Sequence, residues 1–317
     1  MKTVILGILL VCSMLAGVVA AALLASCRSA ATDGKPVAVA TIFAYYDALR
    51  AIGGDDVHCV ILLPPRQSPH DYAPTVQDRA MAARAGLIVK NGLHIDMWAD
   101  KLAADNKSAI VVDVSEVVKA NGIAPLQTEE VSVTSGPTQP ANGEDVSAGN
   151  PHIWLDPRVQ AMAAEAIRDA LIKMDPAHKA GYEARAAAYV SQLRQLDQDF
   201  AQAARGFRQK EFIGFHSAYD YLANRYGLKQ VAAVEEMPGE AGPNAVQLGN
   251  IIKLIRDKHI HVLFTENAMP AKAADRIIEE TGVKTGILQP LETYDSIDDT
   301  YVSLMRQNLA ELKKALD

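Results

Sequence analysis

Three histidines occur at points in the sequence where a stiff loop could hold an imidazole ligand. His70 lies in "SPHDYAP" and His152 in "NPHIWLDP", and in both stretches a proline comes directly before the histidine. Because proline fixes its own φ and biases the preceding residue toward extended backbone, these loops are predicted to be rigid and non-helical. His216 ends the apolar run "EFIGFH", and Asp295 follows the run "GILQPL".

Three imidazoles and one carboxylate form a ligand set suited to Zn²⁺, with Mn²⁺ or Fe²⁺ as alternatives. Each of the four residues follows a predicted strand or closes a loop, and ligands in open α/β sheets collect at the carboxyl ends of strands. Two of them come from each half of the chain. The sequence therefore predicts one metal site in a cleft between two halves. Three further carboxylates lie close enough to Asp295 to replace it, namely Glu292, Asp298 and Asp299.

The elements that must position these residues alternate regularly along the chain. Four β-rich runs precede the middle of the chain and four follow it, with helical patterns between them: "VAVATIF", "HCVILL", "GLIVKN" and "AIVVDV", then "EFIGFH", "QVAAVEE", "HVLFTEN" and "TGILQPL". Near-continuous apolar strands alternating with helices indicate parallel sheets that are buried on both faces. The predicted fold class is α/β, with two lobes that each contain a small, mostly parallel sheet flanked by helices.

A long helical region separates the two sets of strands. Tyr189, Leu193, Leu196 and Phe200 follow a spacing of three and four residues, so one face of this helix is predicted to pack onto the lobes. We predict a long rigid backbone helix that joins the lobes. The predicted organisation is a signal peptide at 1–27, a tether at 28–35, an N-terminal lobe at 36–174, the linking helix at 175–208 and a C-terminal lobe at 209–317.

The N-terminus has the pattern of an export signal. Lys2 precedes an uncharged apolar run that ends in Leu-Ala-Ser-Cys at Cys27. This ending resembles the bacterial lipoprotein box, which implies cleavage before Cys27 and lipidation of that residue. A plain transmembrane anchor is the alternative, since the run is long enough to span a bilayer. Both hypotheses place the rest of the protein outside the cytoplasm and attached to a membrane.

Charge and motifs exclude two broad classes of function. The 317-residue chain has a formal net charge of −7 and no basic patch with interleaved aromatics, so nucleic acid is not an expected partner. The sequence has no HExxH, GxSxG or P-loop motif. A zinc hydrolase with an open water position is the rival hypothesis, but a fourth protein ligand would close the coordination shell. We therefore expect a binding protein and not an enzyme.

Several stretches resemble the metal-binding solute-binding lipoproteins of bacterial ABC importers, which carry zinc, manganese or iron. The matching stretches occur in family order: "SPHDYAPTVQD", "IVKNGLHIDMW", "NPHIWLDPRVQAMA", "FHSAYDYLANRYGL", "VLFTEN" and "TYVSLMRQNLAELKKAL". The resemblance implies two four-stranded lobes joined by a rigid helix, with the metal buried between them. It also implies the ligands His70, His152, His216 and Asp295, an ABC permease as partner, and a monomer.

The resemblance also bears on the choice of metal. His216 occupies a position where manganese-type members usually have glutamate, and three imidazoles favour zinc. Against zinc, the polar stretch before His152 has no histidine, whereas many zinc-type members have a His-rich loop there. Glu266 and His94 are predicted to support the ligands without binding the metal. Besides a metal receptor and a zinc hydrolase, a third hypothesis for the function is adhesion to host molecules.

Overall fold

Two parallel four-stranded sheets form the framework that carries the predicted ligands. The computed structural model describes residues 34–127, 149–234, 244–266, 272–296 and 298–317. The predicted signal peptide, Cys27 and most of the tether lie outside these residues, as does most of the polar stretch before His152. Within the described residues, no helix has the length and apolar character needed to cross a membrane.

The first sheet consists of β1 (Val37–Ala40), β2 (His58–Ile61), β3 (Leu87–Lys90) and β4 (Ile110–Asp113). All neighbouring strands are parallel, and their order is β2-β1-β3-β4. The two central strands are almost entirely buried, and the two edge strands are less so. Burial on both faces is the reason that the central strands appear in the sequence as continuous apolar runs.

The second sheet repeats this arrangement in the other lobe. It consists of β5 (Glu211–Gly214), β6 (Lys229–Ala233), β7 (Val262–Thr265) and β8 (Lys284–Ile287). The strands are parallel in the order β6-β5-β7-β8, which is the same pattern as in the first sheet. The predicted α/β fold with two sheet-containing lobes is confirmed.

Helices supply the apolar residues that cover the sheets. Their bounds are α1 (Phe43–Gly53), α2 (Val76–Ala82), α3 (Met97–Asp105), α4 (Val114–Ala120), α5 (Pro157–Met174), α6 (Lys179–Gly206), α7 (Asp220–Tyr226), α8 (Ala245–Lys258), α9 (Lys272–Thr281) and α10 (Tyr301–Leu316). In the first sheet, alternate residues of β1 belong to two different cores: Ala38 packs into the largest core, and Val39 packs into a smaller one with residues of α2 and α3. Such alternation is expected of a strand that is covered on both faces.

The linking helix α6 is 28 residues long and buries the face that the sequence predicts. Tyr189, Leu193, Leu196 and Phe200 are all buried. They belong to a single large core that contains residues of both lobes. The C-terminal helix α10 also contacts the N-terminal lobe. Tyr301, at the start of α10, donates its hydroxyl hydrogen to the backbone oxygen of Trp154, at 2.6 Å.

Candidate metal centre

His70 lies in the loop that follows β2. Its side chain is only 4% exposed. The indole Nε1 of Trp98 donates a hydrogen bond of 3.1 Å to the backbone oxygen of Pro69, the residue directly before His70. The loop is therefore held at Pro69 by a side chain of α3, in addition to the restriction that the proline itself imposes.

His152 lies just before a short 3₁₀ turn, Ile153–Leu155, whose residues are completely buried. Asn91 donates from Nδ2 to the backbone oxygen of Pro151 at 2.9 Å, and Tyr45 in turn donates to Asn91 Oδ1 at 2.6 Å. Trp154 is fully buried, and its ring centroid lies 5.2 Å from that of His152. After the turn, Asp156 caps α5 by accepting a hydrogen bond from the backbone N–H of Arg158, with Pro157 in the first helical turn. Both ends of this loop are thus fixed by the core of the N-terminal lobe.

His216 follows β5 in the C-terminal lobe and is 1% exposed. Its Nδ1 lies 2.5 Å from Oε1 of Glu266, which follows β7. The hydroxyl of Tyr219 donates to the same carboxylate oxygen at 3.4 Å. A carboxylate on Nδ1 fixes the orientation of the ring and leaves Nε2 for a ligand, which is the arrangement that commonly supports metal-binding histidines.

The carboxylate that meets the three imidazoles belongs to Glu292, in the loop after β8. Its Oε1 lies 2.9 Å from Nε2 of His152, 3.4 Å from Nε2 of His216 and 3.8 Å from Nε2 of His70. The side chain of Glu292 is only 5% exposed. Glu292, His70 and His152 form a group whose ligand atoms all lie within 4.8 Å of one another. Two imidazoles of one lobe therefore meet an imidazole and a carboxylate of the other.

Asp295, the carboxylate that the sequence analysis put first, lies outside this buried group. Its side chain is 45% exposed, and its Oδ1 accepts a hydrogen bond of 2.9 Å from Nε of Arg66. The physical reason is the path of the chain. Leu291 has a φ of 58°, and the backbone oxygen of Glu292 accepts a hydrogen bond from Phe43, so the loop turns Glu292 inward. Asp295 comes after this inward turn, where the chain has returned to the surface.

The structure also shows where the alternative carboxylates and the two predicted supporting residues lie. The carboxylates of Asp298 and Asp299 do not belong to the buried group. Oδ2 of Asp299 instead accepts hydrogen bonds from the backbone N–H groups of Asp295 and Ser296. His94 is exposed, at a φ of 68°. Of the two residues predicted to support the ligands, Glu266 contacts an imidazole of the group, whereas His94 points to the surface.

The imidazoles in this group have unlike charge states. Complete burial lowers the pKa of His152 to about 4, although the neighbouring Glu292 acts in the opposite direction. Burial also disfavours the charged form of His216, but Glu266 and Glu292 outweigh it and raise the pKa of His216 to about 10. Despite its burial, the pKa of Glu292 is held well below its usual range by the neighbouring imidazoles of His152 and His216. At neutral pH, the metal-free group therefore contains a neutral His152, a protonated His216 and an ionised Glu292.

Hydrogen bonding indicates where the lone pairs point. Nδ1 of His152 lies 2.8 Å from Oδ1 of Asn150, an acceptor, and in the tautomer that donates this hydrogen bond Nε2 carries the lone pair. That lone pair faces a carboxylate oxygen of Glu292 at 2.9 Å, and the two acceptors cannot satisfy one another. A cation placed between them would bind both. The proton on His216 supplies part of this positive charge when no metal is bound.

Two α/β lobes contribute imidazoles and a carboxylate to one buried group, and side chains of these types can together bind a divalent metal ion. Residues 38–315 match the family model described as ZnuA, zinc-uptake complex component A, periplasmic. The chain belongs to this family, as its resemblance in sequence predicted. The description of this family as a periplasmic zinc-uptake component agrees with the predicted location outside the cytoplasm and with the expectation of a binding protein rather than an enzyme.

Known relatives extend this assignment. The chain is 30% identical over 308 residues to the high-affinity zinc uptake system protein ZnuA of Bacillus subtilis, covering 93% of this chain and 94% of that protein. It is also 30% identical over 316 residues to the zinc-binding lipoprotein AdcA of Streptococcus pneumoniae R6, covering 96% of this chain and 60% of AdcA. The chain thus spans somewhat less than two thirds of AdcA.

Solved structures agree on the fold. The crystal structure of Zn(II)-bound AdcA from Streptococcus pneumoniae matches with a TM-score of 0.74 and 28% identity, over 90% of this chain and 58% of that chain. A mutant structure of the laminin-binding adhesin Lmb from Streptococcus agalactiae also matches with a TM-score of 0.74 and 28% identity, over 90% of this chain and all of that chain. Zinc-binding proteins and an adhesin thus share this fold, and adhesion by this chain remains a prediction.

One residue that supports the candidate site was not predicted from the sequence. Asn150 precedes the Pro-His pair, and its Oδ1 accepts hydrogen bonds from both the backbone N–H and Nδ1 of His152. The signal was present, because Asn side chains commonly bond to the backbone two residues further along the chain.

Proposed function

We propose that this protein captures Zn²⁺ outside the cytoplasm, in the cleft between its lobes, and delivers it to an ABC permease. The proposed ligands are Nε2 of His70, His152 and His216 together with the carboxylate of Glu292. The observation that carries the proposal is the convergence of these side chains, each at most 5% exposed, around Oε1 of Glu292. Buried polar atoms with facing lone pairs are costly unless a cation binds them.

The donor atoms favour zinc over manganese or iron. Three imidazole nitrogens and one carboxylate oxygen suit the tetrahedral, four-coordinate geometry that Zn²⁺ adopts in closed sites. Manganese sites are richer in oxygen donors. The names of the relatives support the same metal, since AdcA is described as zinc-binding and ZnuA of Bacillus subtilis as part of a zinc uptake system.

A complete set of protein ligands also suits a receptor. Catalytic zinc sites keep one coordination position open for water, whereas four protein ligands close the shell. Ligands drawn from both lobes also give a way to release the metal, because separating the lobes would divide the set into two weaker pairs. Delivery to a permease is proposed on this basis and on the family to which the chain belongs.

Attachment to the membrane is proposed from the sequence. The Leu-Ala-Ser-Cys stretch that ends at Cys27 supports lipidation of this residue, and AdcA is described as a lipoprotein. Labelling cells with a radioactive fatty acid tests this directly. The parent protein should incorporate the label and Cys27→Ser should not. Light scattering of the purified protein tests the expected monomer.

Metal content and calorimetry test the central proposal. Protein purified without added metal and then titrated with Zn²⁺ at pH 7.5 should bind one ion per chain, and more tightly than Mn²⁺. His178→Ala is a suitable control, since His178 is half exposed and pairs with Asp175, which is not one of the proposed ligands. The control should bind zinc as the parent does. A parent protein that binds no zinc, or that prefers manganese, would refute the proposal.

Delivery needs a test in cells. A strain that lacks the gene should grow poorly when zinc is depleted, and the parent gene should restore growth. The gene carrying His152→Ala should fail to restore it, and the gene carrying His178→Ala should succeed. Equal restoration by both variants would show that zinc uptake does not depend on this site.

A further inference from the structure

Asn150 is a buried amide whose hydrogen-bonding capacity is completely used. Only 4% of its surface is exposed. Its Oδ1 accepts from the backbone N–H of His152 at 2.9 Å and is 2.8 Å from Nδ1 of the same residue. Its Nδ2 donates to the backbone oxygen of Ser217 at 2.7 Å and to Oδ2 of Asp220 at 2.9 Å. An asparagine amide has two acceptor sites and two donor hydrogens, so all four are occupied.

This full occupancy fixes the orientation of the amide. A flip that exchanged Oδ1 and Nδ2 would place the NH₂ group against the backbone N–H of His152, and would place the oxygen against the backbone oxygen of Ser217 and the carboxylate of Asp220. Three of the four contacts would become unfavourable, and the contact with Nδ1 would survive only if His152 changed its tautomer. The amide oxygen therefore faces His152, and the proton on that ring is held at Nδ1, leaving Nε2 for the metal.

The donor side of the same amide contacts the other lobe. Ser217 directly follows His216, and Asp220 is the first residue of α7. A second contact lies beside this one: the backbone N–H of Asn150 donates to the backbone oxygen of Leu126 at 2.8 Å, and the backbone N–H of Leu126 donates to the hydroxyl of Tyr221 at 3.0 Å. Asn150 is therefore in contact with one histidine ligand of the N-terminal lobe and with the loop that carries the histidine ligand of the C-terminal lobe.

We propose that Asn150 is a positioning residue that couples the two halves of the metal site. Its oxygen holds His152 in the tautomer that binds metal through Nε2, and its NH₂ group holds the His216 loop against the N-terminal lobe. The two actions belong to one planar group, so the tautomer of His152 and the approach of the lobes depend on each other. This inference rests on the proposed zinc function.

Substitutions can separate the two actions. Asn150→Ala removes both. Asn150→Asp keeps an acceptor for His152, but it replaces the donor with an oxygen that repels the carboxylate of Asp220 and the oxygen of Ser217. Adding Asp220→Asn to Asn150→Asp supplies a new donor from the opposite side and restores one bond between the lobes. Asp220→Asn alone is the matched control, because its amide oxygen still accepts from Asn150.

Histidine NMR provides a readout that a purely structural contact would not change. In metal-free, ¹⁵N-histidine-labelled protein at pH 8, His152 should carry its proton on Nδ1 in the parent, in Asn150→Asp and in the Asp220→Asn control. In Asn150→Ala the Nδ1 tautomer should lose its dominance. Hydrogen exchange across residues 217–226 of the zinc-loaded protein should be faster in Asn150→Asp than in the parent. In the double variant it should be slower than in Asn150→Asp.

Zinc release to an excess of chelator gives the functional consequence. Loss of a buried hydrogen bond that leaves its partners unsatisfied should make release from Asn150→Ala roughly tenfold to a hundredfold faster, with the Asp220→Asn control near the parent rate. Unchanged release, an unchanged His152 tautomer in Asn150→Ala, or no recovery of slow exchange in the double variant would overturn the inference. A parent protein without zinc affinity would instead refute the proposed function, and the tautomer measurement would still test Asn150.

Discussion

The identity of the carboxylate ligand gives the sharpest test of the site, because the sequence and the structure put different residues first. We predict that Glu292→Gln weakens zinc binding strongly and that Asp295→Asn hardly changes it. Glutamine has nearly the shape of glutamate, so the substitution removes the negative charge and a strong donor atom without opening a cavity.

The expected magnitudes follow from the surroundings of the two carboxylates. Four-ligand zinc sites bind with about 10–16 kcal/mol at neutral pH, so one ligand contributes about 3 kcal/mol, which corresponds to roughly a hundredfold in affinity. Glu292 is 5% exposed and 2.9 Å from His152, so its contribution is not screened by water. Asp295 is 45% exposed and forms an ion pair with the 69% exposed Arg66. Such a pair is worth at most about 1 kcal/mol, or roughly fivefold.

Competition with a chromophoric chelator at pH 7.5 measures both affinities under one condition. Thermal melts of the metal-free variants check that each one folds. Glu292 would be excluded as the carboxylate ligand if Asp295→Asn lost about a hundredfold in affinity while Glu292→Gln stayed within fivefold of the parent. That result would mean that the loop after β8 rearranges on binding and exchanges one carboxylate for the other.

Three further predictions concern the imidazoles. Alanine at His70, at His152 or at His216 should each lower zinc affinity by at least about a hundredfold in calorimetry, and an unchanged His216→Ala would exclude that residue as a ligand. His216→Glu should shift preference toward manganese by supplying an oxygen donor, measured as the ratio of zinc to manganese affinity; an unchanged ratio would show that position 216 does not set selectivity. The zinc-induced rise in Tm should increase from pH 6 to pH 8.5, and a constant rise would contradict the charge states given above.

The direction of this pH dependence follows from His216. Its pKa in the folded protein, about 10, lies above the value of an unfolded histidine, near ~6.5. The protonated ring therefore stabilises the metal-free protein fully below pH ~6.5, and this stabilisation is lost as the pH rises toward 10. Zinc must displace the same proton, so its apparent affinity increases over that range. Because the pKa of His152 is about 4, this residue releases no proton to zinc at neutral pH.

Much of the fold could be predicted because parallel sheets leave a strong pattern in sequence. The strands β1 and β3 are buried on both faces, so they appear as apolar runs that local reasoning detects. The histidines of the candidate site were recognisable for a similar reason. Pro69 and Pro151 are local signals of stiff loops, and His216 directly extends an apolar strand.

The sequence could not show which carboxylate lies beside the histidines, because its position depends on contacts between distant residues. Glu292 and Asp295 are three residues apart in an irregular loop, where no periodicity indicates which side chain faces inward. Two features direct Glu292 inward: the positive φ of Leu291, and the hydrogen bond from the backbone N–H of Phe43 to the backbone oxygen of Glu292. The two residues of this hydrogen bond are far apart in the sequence. Neither feature leaves a local pattern.

The two histidines at the centre of the site differ in what supports them, and this difference assigns distinct tasks to the lobes. His152 is held by the neutral amide of Asn150 and is itself neutral, so the N-terminal lobe presents a lone pair at neutral pH. His216 is held by the carboxyl group of Glu266 and keeps a proton that a metal at the proposed site would have to replace. A carboxylate partner also makes an imidazole a stronger donor once the proton has left. In the proposed zinc site, the N-terminal lobe would therefore offer a ligand that is ready to bind, and the C-terminal lobe would exchange a proton for the metal.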